Sequence, residues 1–207
     1  MIGKVRGAID RAATPIARVF QALGLSPNTL SIVGLIITGF GAVLVARGQL
    51  IVGAAVAGVG AILDLFDGLV ARLTDQTSPQ GGFLDSVLDR YTDAFAFAAI
   101  GWYYDVTWIW AVCLLGFLGA AATSYAKART FEEVRPAGRD WADLVERPER
   151  QLALWFGAGF QGIAHALGVG VEFLPWVVTV VAVMGHVTVL QRGAKAMRIL
   201  EGGTDGP

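Results

Sequence analysis

Long apolar stretches alternate with polar connections along most of the chain. A run of about 18 or more predominantly apolar residues is typical of a helix that crosses a bilayer. Hydropathy predicts six such helices, at residues 29–46, 50–73, 82–103, 107–128, 151–169 and 174–192. The pattern therefore predicts an all-α integral membrane protein with six transmembrane helices.

The stretch before the first predicted span is amphipathic. Between residues 3 and 24 the apolar side chains share one stripe, and the basic side chains lie mostly off it. This pattern predicts a juxtamembrane helix on an anionic membrane surface, and a frayed soluble helix is the alternative. We expect a single domain, with the juxtamembrane helix in residues 1–26, the six-helix core in 27–200 and a tail in 201–207.

Basic residues concentrate at one side of the predicted bundle. Arg47 is the only one on the side of the very short connections near 47–49, 104–106 and 170–173. The positive-inside rule then places both termini and the longer polar connections, near 74–81 and 129–150, in the cytoplasm of a multi-pass cell-membrane protein.

Composition agrees with this architecture. The chain is 55% hydrophobic and 16% charged, with a mean hydropathy of +0.58. A formal net charge of -1 offers no bulk electrostatic attraction for nucleic acid. Cys113 is the single cysteine, so the chain has no internal disulfide.

Four carboxylates interrupt the second and third predicted spans. Asp64 and Asp67 are three residues apart, and Asp85 and Asp89 are four apart, so each pair shares one face of its helix. On antiparallel neighbours, the two pairs converge. Four close carboxylates repel one another, and a divalent cation with hard oxygen ligands relieves that repulsion. Ion pairs with Arg72 and Arg90 are the alternative, but two arginines cannot neutralise four acids.

The full pattern is D-x2-D-G-x2-A-R-x8-G-x3-D-x3-D, running from Asp64 to Asp89. It resembles the signature of the CDP-alcohol phosphotransferase family at every defining position. The resemblance implies transfer of a phosphatidyl group, or its ether-lipid equivalent, from a CDP-linked lipid to an alcohol, with release of CMP. It also implies a homodimer and one or two Mg²⁺ or Mn²⁺ ions, with two expected. The metal ligands would be Asp64, Asp67, Asp85 and Asp89, with Asp89 also the base that takes the hydroxyl proton.

The same resemblance assigns a binding site for the CDP-linked lipid. Gly68 and Ala71 have little side chain, so their helix face can admit the nucleotide, and Arg72 can pair with a phosphate or with the carboxylates. Asn28 and Ser78 are candidate hydrogen-bond donors, although a helix cap and a turn residue explain them equally well. The complete predicted donor set is Pro27, Asn28, Thr29, Leu30, Gly68, Ala71, Arg72, Ser78 and Gly81.

A second, basic group lies at the same predicted depth as the aspartates. Residues 124–129 (SYAKAR), 146–150 (ERPER) and 191–192 (QR) resemble the phosphatidylinositol-phosphate synthase branch, which includes the archaeal archaetidylinositol-phosphate synthases. That branch implies inositol 1-phosphate as the acceptor, a small phosphorylated alcohol. The predicted acceptor site consists of Ser124, Lys127, Arg129, Arg147, Arg150 and Arg192.

Three alternatives remain open from the sequence. The cations could anchor the protein to anionic lipid headgroups. Glycerol 3-phosphate is a second acceptor that carries a phosphate. A small cation transporter would also place acids in a membrane, although its site is expected near the midplane. Residues 130–145 form a long acidic segment whose role is open.

Overall fold

The computed structural model describes residues 14–15, 17–134 and 147–202. Within these residues the chain is all-helical, with no strand. Six long helices follow one another: α1 Pro27–Ala46, α2 Leu50–Leu73, α3 Pro79–Tyr104, α4 Thr107–Val134, α5 Arg147–Ala166 and α6 Leu174–Gly202. Successive helices run in opposite directions, so the start of α1, α3 and α5 and the end of α2, α4 and α6 share one end of the bundle.

Local sequence signals set the ends of several helices. Ser26 caps α1 by accepting a hydrogen bond from the Thr29 N–H, and Ser78 caps α3 by accepting one from the Gly81 N–H. A proline follows each cap, where its missing N–H costs nothing. Asp105 ends α3 in the left-handed region, at φ 47°.

The helices differ from the predicted spans where they continue into polar sequence. The predicted span at 107–128 covers the apolar part of α4, and the helix itself continues to Val134. Similarly, α5 begins at Arg147 and α6 continues to Gly202. Hydropathy detects only the apolar part of a helix, whereas backbone hydrogen bonding continues into charged turns. Residues 135–146 lie outside the described residues.

Small residues bring α1 and α2 into close contact, as the glycines of these spans predict. A Cβ added at Gly41 would lie 2.5 Å from the Ala57 backbone nitrogen, and one at Gly34 would lie 2.9 Å from the Gly60 carbonyl oxygen. The two backbones therefore touch along much of their length, which is a common way for membrane helices to associate.

Four helices in the described part of the chain are long and apolar enough to cross a membrane: α1, α2, residues Thr107–Glu132 of α4 and residues Leu174–Glu201 of α6. The other two long helices, α3 and α5, carry Asp85, Asp89, Arg147 and Arg150 of the candidate site. Together with the fold, these four helices identify a membrane protein.

The N-terminal region is described only in part. Residues 17–22 are helical, and Phe20 packs edge-on against Phe66 of α2, with ring centroids 5.5 Å apart. Ala17 is completely buried in the same small core. Most of the predicted amphipathic helix, residues 1–13 and residue 16, lies outside the described residues, as does 203–207.

At the end opposite the aspartates, a polar cluster ties α3 to the connection between α5 and α6. Tyr104 donates a hydrogen bond of 2.7 Å to Glu172, and His165 Nε2 lies 2.8 Å from the same carboxylate. Although slight burial has the opposite effect, these hydrogen bonds lower the pKa of Glu172 below its ordinary 4.5.

Candidate active site

The second half of α2 and the first half of α3 bring three carboxylates together. Asp64, Asp67 and Asp85 each offer an oxygen atom, and these atoms lie within 4.8 Å of one another. Asp67 is buried and the other two are partly buried. The structure thus brings together three of the four predicted metal ligands from two neighbouring helices.

Ser31 of α1 fixes the orientation of Asp67. Its hydroxyl donates a hydrogen bond of 2.5 Å to Asp67 Oδ2, and both side chains are buried. The contact fixes the position of one of the two carboxylate oxygens. Supporting hydrogen bonds of this kind orient the ligands of metal sites.

Arg147, the first residue of α5, lies between two of the predicted ligands. Its Nη1 atom lies 2.7 Å from Asp64 Oδ2 and 2.5 Å from Asp89 Oδ1. Its Nη2 atom donates a hydrogen bond of 2.9 Å to the hydroxyl of Thr92. This predicted acceptor residue therefore contacts the carboxylate cluster directly.

Asp89, the fourth predicted ligand, lies one turn further along α3 than Asp85. Besides Arg147 it contacts Arg90, whose Nη2 atom lies 3.4 Å from Asp89 Oδ2. Asp89 Oδ1 is buried, and the nitrogen close to it is Arg147 Nη1, at 2.5 Å. Ion pairs do form at the cluster: Arg147 pairs with Asp64 and Asp89, and Arg90 pairs with Asp89.

The oxygen atoms of the carboxylate cluster fit a divalent metal. Hard carboxylate oxygens are the ligands that Mg²⁺ and Mn²⁺ prefer, and three of them already lie within 4.8 Å of one another. Asp89 Oδ1 adds a fourth, buried oxygen close by, which pairs with Arg147. Asp64, Asp67 and Asp85 would hold the ion, with Asp89 as a further ligand close by.

One turn beyond Asp89, a buried ion pair joins α5 to α3. Arg150 donates two hydrogen bonds to the completely buried Asp93, of 3.2 and 2.7 Å. Gln151 donates a third, of 2.8 Å, and Trp155 in turn donates to Gln151. Arg150, predicted to bind the acceptor, therefore has its guanidinium group held in the interior by Asp93.

Several of the residues predicted to bind the CDP-linked lipid lie close together. Ser78 and Asn28 both flank Gly81: a Cβ at Gly81 would lie 3.2 Å from Ser78 Oγ and 3.5 Å from Asn28 Oδ1. On α2, the guanidinium group of Arg72 lies over Gly68, 3.5 Å from where a Cβ would be. The starts of α1 and α3 thus form one group at the aspartate end.

The other predicted donor residues differ in exposure. Leu30 is 2% exposed and packs in the small core with Phe66, which is a packing position. Thr29 is exposed, and its hydroxyl lies 2.8 Å from that of Ser26. Pro27 and Ala71 are partly buried.

The other predicted acceptor residues lie on α4 and α6. Lys127 and Arg129 are exposed, and Arg129 pairs with Glu132 at 2.7 Å. Arg192 is buried between the two helices and donates a hydrogen bond of 2.5 Å to the Thr123 carbonyl, next to Ser124. The basic residues therefore divide into a buried set on α5 and α6 and an exposed set on α4.

The polar residues that support the aspartates, Ser31 on α1 and the Gln151–Trp155 pair on α5, cannot be identified from the acidic motif. Ser31 is a polar residue in an otherwise apolar span, four residues after Pro27. Gln151 and Trp155 are four residues apart on α5, the spacing that places them on one face. Both signals are visible in the sequence, but their partners are not, because they lie on other helices.

An all-helical membrane bundle with an acidic cluster at one end fits a membrane protein that binds a divalent metal. The chain belongs to the CDP-alcohol phosphatidyltransferase family, whose model matches residues 24–188. This membership decides between the transferase and the cation transporter in favour of the transferase.

Two relatives within the family are similar to this chain over most of its length. The archaetidylinositol phosphate synthase of Pyrococcus horikoshii is 32% identical over 204 residues, which cover 98% of this chain and 100% of the relative. The phosphatidylinositol phosphate synthase of Streptomyces avermitilis is 35% identical over 194 residues, 90% of this chain and 78% of the relative.

Solved structures agree. The crystal structure of Mycobacterium tuberculosis phosphatidylinositol phosphate synthase with CDP-DAG bound has a TM-score of 0.76 and 28% identity, covering 90% of this chain and 94% of that one. A structure of the same enzyme in complex with manganese and citrate also has a TM-score of 0.76 and 28% identity, covering 89% and 88%. The solved structures therefore support the assignment of the chain to the CDP-alcohol phosphatidyltransferase family.

Proposed function

We propose that this enzyme transfers the phosphatidyl group of a CDP-linked lipid to inositol 1-phosphate, giving phosphatidylinositol phosphate and CMP. The donor would be CDP-diacylglycerol or its archaeal ether-lipid equivalent. The observation that carries the proposal is the convergence of Asp64, Asp67 and Asp85 within 4.8 Å, in a chain whose relatives are synthases of this type.

The reaction requires a nucleophile, a base and stabilised phosphate charge. The acceptor hydroxyl attacks the β-phosphorus, the bond from that phosphorus to the CMP oxygen breaks, and the hydroxyl proton passes to a carboxylate oxygen of Asp89. Bound Mg²⁺ or Mn²⁺, expected as two ions, supplies the positive charge that stabilises the phosphoryl oxygens. Ser31 keeps Asp67 oriented throughout.

The donor nucleotide would lie over the small residues of α2. Gly68 and Ala71 leave room at this helix face, and Arg72 beside Gly68 can pair with a phosphate. Asn28 and Ser78, which both flank Gly81, provide hydrogen-bonding groups at the same end of the bundle. The lipid chains would remain in the bilayer beside the apolar helices.

The acceptor phosphate would be bound by cations of α4, α5 and α6. Lys127 and Arg129 are exposed to solvent, and Arg147 already reaches the carboxylates at its first helical turn. Arg192 and Ser124 would line the same side, and Arg150 would hold α5 in position through Asp93. A phosphate-bearing acceptor explains this concentration of positive charge better than serine or free inositol does.

The membrane arrangement is also part of the proposal. Six helices would cross the plasma membrane, with α3 and α5 crossing among the four apolar ones, and an N-terminal helix would lie at the interface. The aspartate end would face the cytoplasm, where CMP and the acceptor are soluble, and two copies would form a homodimer.

The test measures CMP release by purified protein with Mg²⁺ and CDP-diacylglycerol. Inositol 1-phosphate, glycerol 3-phosphate, free inositol and serine are compared as acceptors in parallel. We expect turnover with inositol 1-phosphate alone. Turnover with glycerol 3-phosphate alone would support the aspartate site but identify a different acceptor. If no acceptor led to CMP release, the assay would be repeated with an ether-linked CDP-lipid.

A further inference from the structure

We propose that Arg147 is an exchangeable counter-ion, which competes with the divalent metal for Asp64 and Asp89 and thereby sets the metal affinity of the site. The inference rests on the proposed role of these aspartates as metal ligands. It concerns the chain's own arginine and requires no statement about the acceptor.

The position of the guanidinium group carries the argument. Arg147 Nη1 lies 2.7 Å from Asp64 Oδ2 and 2.5 Å from Asp89 Oδ1. A cation that used both oxygens would require them at about 2.0–2.2 Å, in the place that the guanidinium nitrogen holds. Two positive groups at such a distance repel strongly in a partly buried site. Arg147 and a metal bridging these oxygens therefore exclude one another.

The remaining polar contacts of Arg147 are few in the described part of the chain. Apart from the two carboxylates, the guanidinium group donates to the Thr92 hydroxyl, and within the described residues its buried Nε atom has no hydrogen bond. Arg147 is also the first residue of α5, where helices fray most readily.

Arg150, three residues later, is held more firmly than Arg147. Its Nε and Nη2 atoms both bind Asp93, which is completely buried and also accepts from Gln151. Removal of this guanidinium would leave Asp93 charged in the interior. Of the two arginines at the start of α5, Arg150 is thus the fixed anchor and Arg147 the one that can leave.

The experiment titrates Mn²⁺ into the purified full chain in detergent, without lipid or acceptor, and follows free Mn²⁺ by electron paramagnetic resonance. We expect Arg147→Gln to bind Mn²⁺ at least about fivefold more tightly than the unmodified chain. Arg147→Lys, which keeps the charge but loses the planar fork, should lie between the two. Arg198→Gln on α6 removes an exposed charge elsewhere and should leave Mn²⁺ affinity unchanged.

The outcomes separate the inference from the metal assignment. Equal or weaker Mn²⁺ binding by Arg147→Gln overturns the competition, because Arg147 would then assist the metal or be indifferent to it. Absence of Mn²⁺ binding by the unmodified chain, or equal binding by Asp67→Asn, overturns the metal site itself and with it the competition.

A second readout covers loss of stability in the variant. In a chelator, Arg147→Gln should unfold at a lower temperature than the unmodified chain, because its carboxylates lack a counter-ion. Saturating Mn²⁺ should close that difference. A deficit of equal size in chelator and in Mn²⁺, or failure to fold in both, would assign Arg147 a structural role and overturn the proposal.

Discussion

At the scale of single residues, Ser31 fixes the carboxylate of Asp67 through a hydrogen bond to its Oδ2 atom. Because the hydroxyl holds Oδ2, the carboxylate cannot rotate without breaking a buried hydrogen bond. We predict that Ser31→Ala lowers Mn²⁺ affinity, and activity at limiting metal, by about 10–100-fold. Metal titration of turnover provides the measurement.

Thr188→Val is the matched control for Ser31→Ala. The Thr188 hydroxyl is buried but donates only to the Met184 carbonyl of its own helix. Its removal should leave the metal dependence of turnover unchanged. If both variants lost affinity equally, general loosening of the bundle would explain the effect, and Ser31 would have no specific role.

Conservative changes at the carboxylates test the chemistry. Asp67→Asn and Asp89→Asn keep the size of each side chain but remove the charge that a metal or a proton needs. We predict that both abolish CMP release while the helical circular dichroism stays that of the unmodified chain. Substantial turnover in either variant would contradict its assigned role.

The sequence predicts the acidic residues better than it predicts their partners. Asp64 to Asp89 are identifiable because their spacing follows the helical repeat within two adjacent spans. Arg147 lies 83 residues from Asp64 in the chain, and only the packing of α5 against α2 and α3 brings the two together. Spacing along one helix contains no information about such a contact.

At the scale of helices, the Arg150–Asp93 pair holds α5 against α3. Loss of one partner leaves the other charged in a buried site, at a cost of about 3–5 kcal/mol. We predict that Arg150→Met and Asp93→Leu each lower the unfolding temperature strongly, and that the double variant loses much less than the sum of the two.

A double-mutant cycle on thermal unfolding measures this coupling. Additive losses would show that the two side chains act independently, in conflict with the hydrogen bonds between them. Since Arg150 is among the predicted acceptor residues, the acceptor KM of any folded variant would then separate its structural role from direct binding.

Helix ends follow the sequence where local chemistry sets them. The Ser-Pro pairs at the start of α1 and α3 identify those ends within a few residues. The end of α4 at Val134 and the start of α5 at Arg147 have no such signal, because there the polar helical turns resemble a loop in hydropathy.

At the scale of the whole molecule, the basic residues of α4 test the choice of acceptor. Lys127 is exposed at the aspartate end. We predict that Lys127→Ala raises the KM for inositol 1-phosphate several-fold more than the KM for the CDP-linked lipid. Arg198→Ala, an exposed cation of α6 outside the predicted acceptor set, is the control. Equal effects on both substrates would favour anchoring to anionic headgroups.

The opposite end of the molecule contributes stability that depends on pH. The lowered pKa of Glu172 means that its ionised form is favoured by folding, so the contribution is present above its ordinary pKa of 4.5 and is lost as pH falls through the lower folded value. We predict that Glu172→Gln lowers the unfolding temperature at pH 7, on the order of 2 °C, and by less at pH 3. An equal deficit at both values would exclude an ionic origin.

The length of α2 fixes the depth of the carboxylates. The helix has 24 residues from Leu50, and at about 1.5 Å per residue Asp64 and Asp67 lie roughly 21 and 26 Å along it. A hydrocarbon layer of about 30 Å that begins at Leu50 ends just beyond them.

A two-chain lipid can therefore bring its phosphates to these oxygens with both acyl chains still in the bilayer. Each methylene lifted into water would cost about 0.8 kcal/mol. On the proposed function, an acidic site at this level spares the enzyme that cost, so the lipid donor would arrive by sideways diffusion within the leaflet and the lipid product would depart the same way.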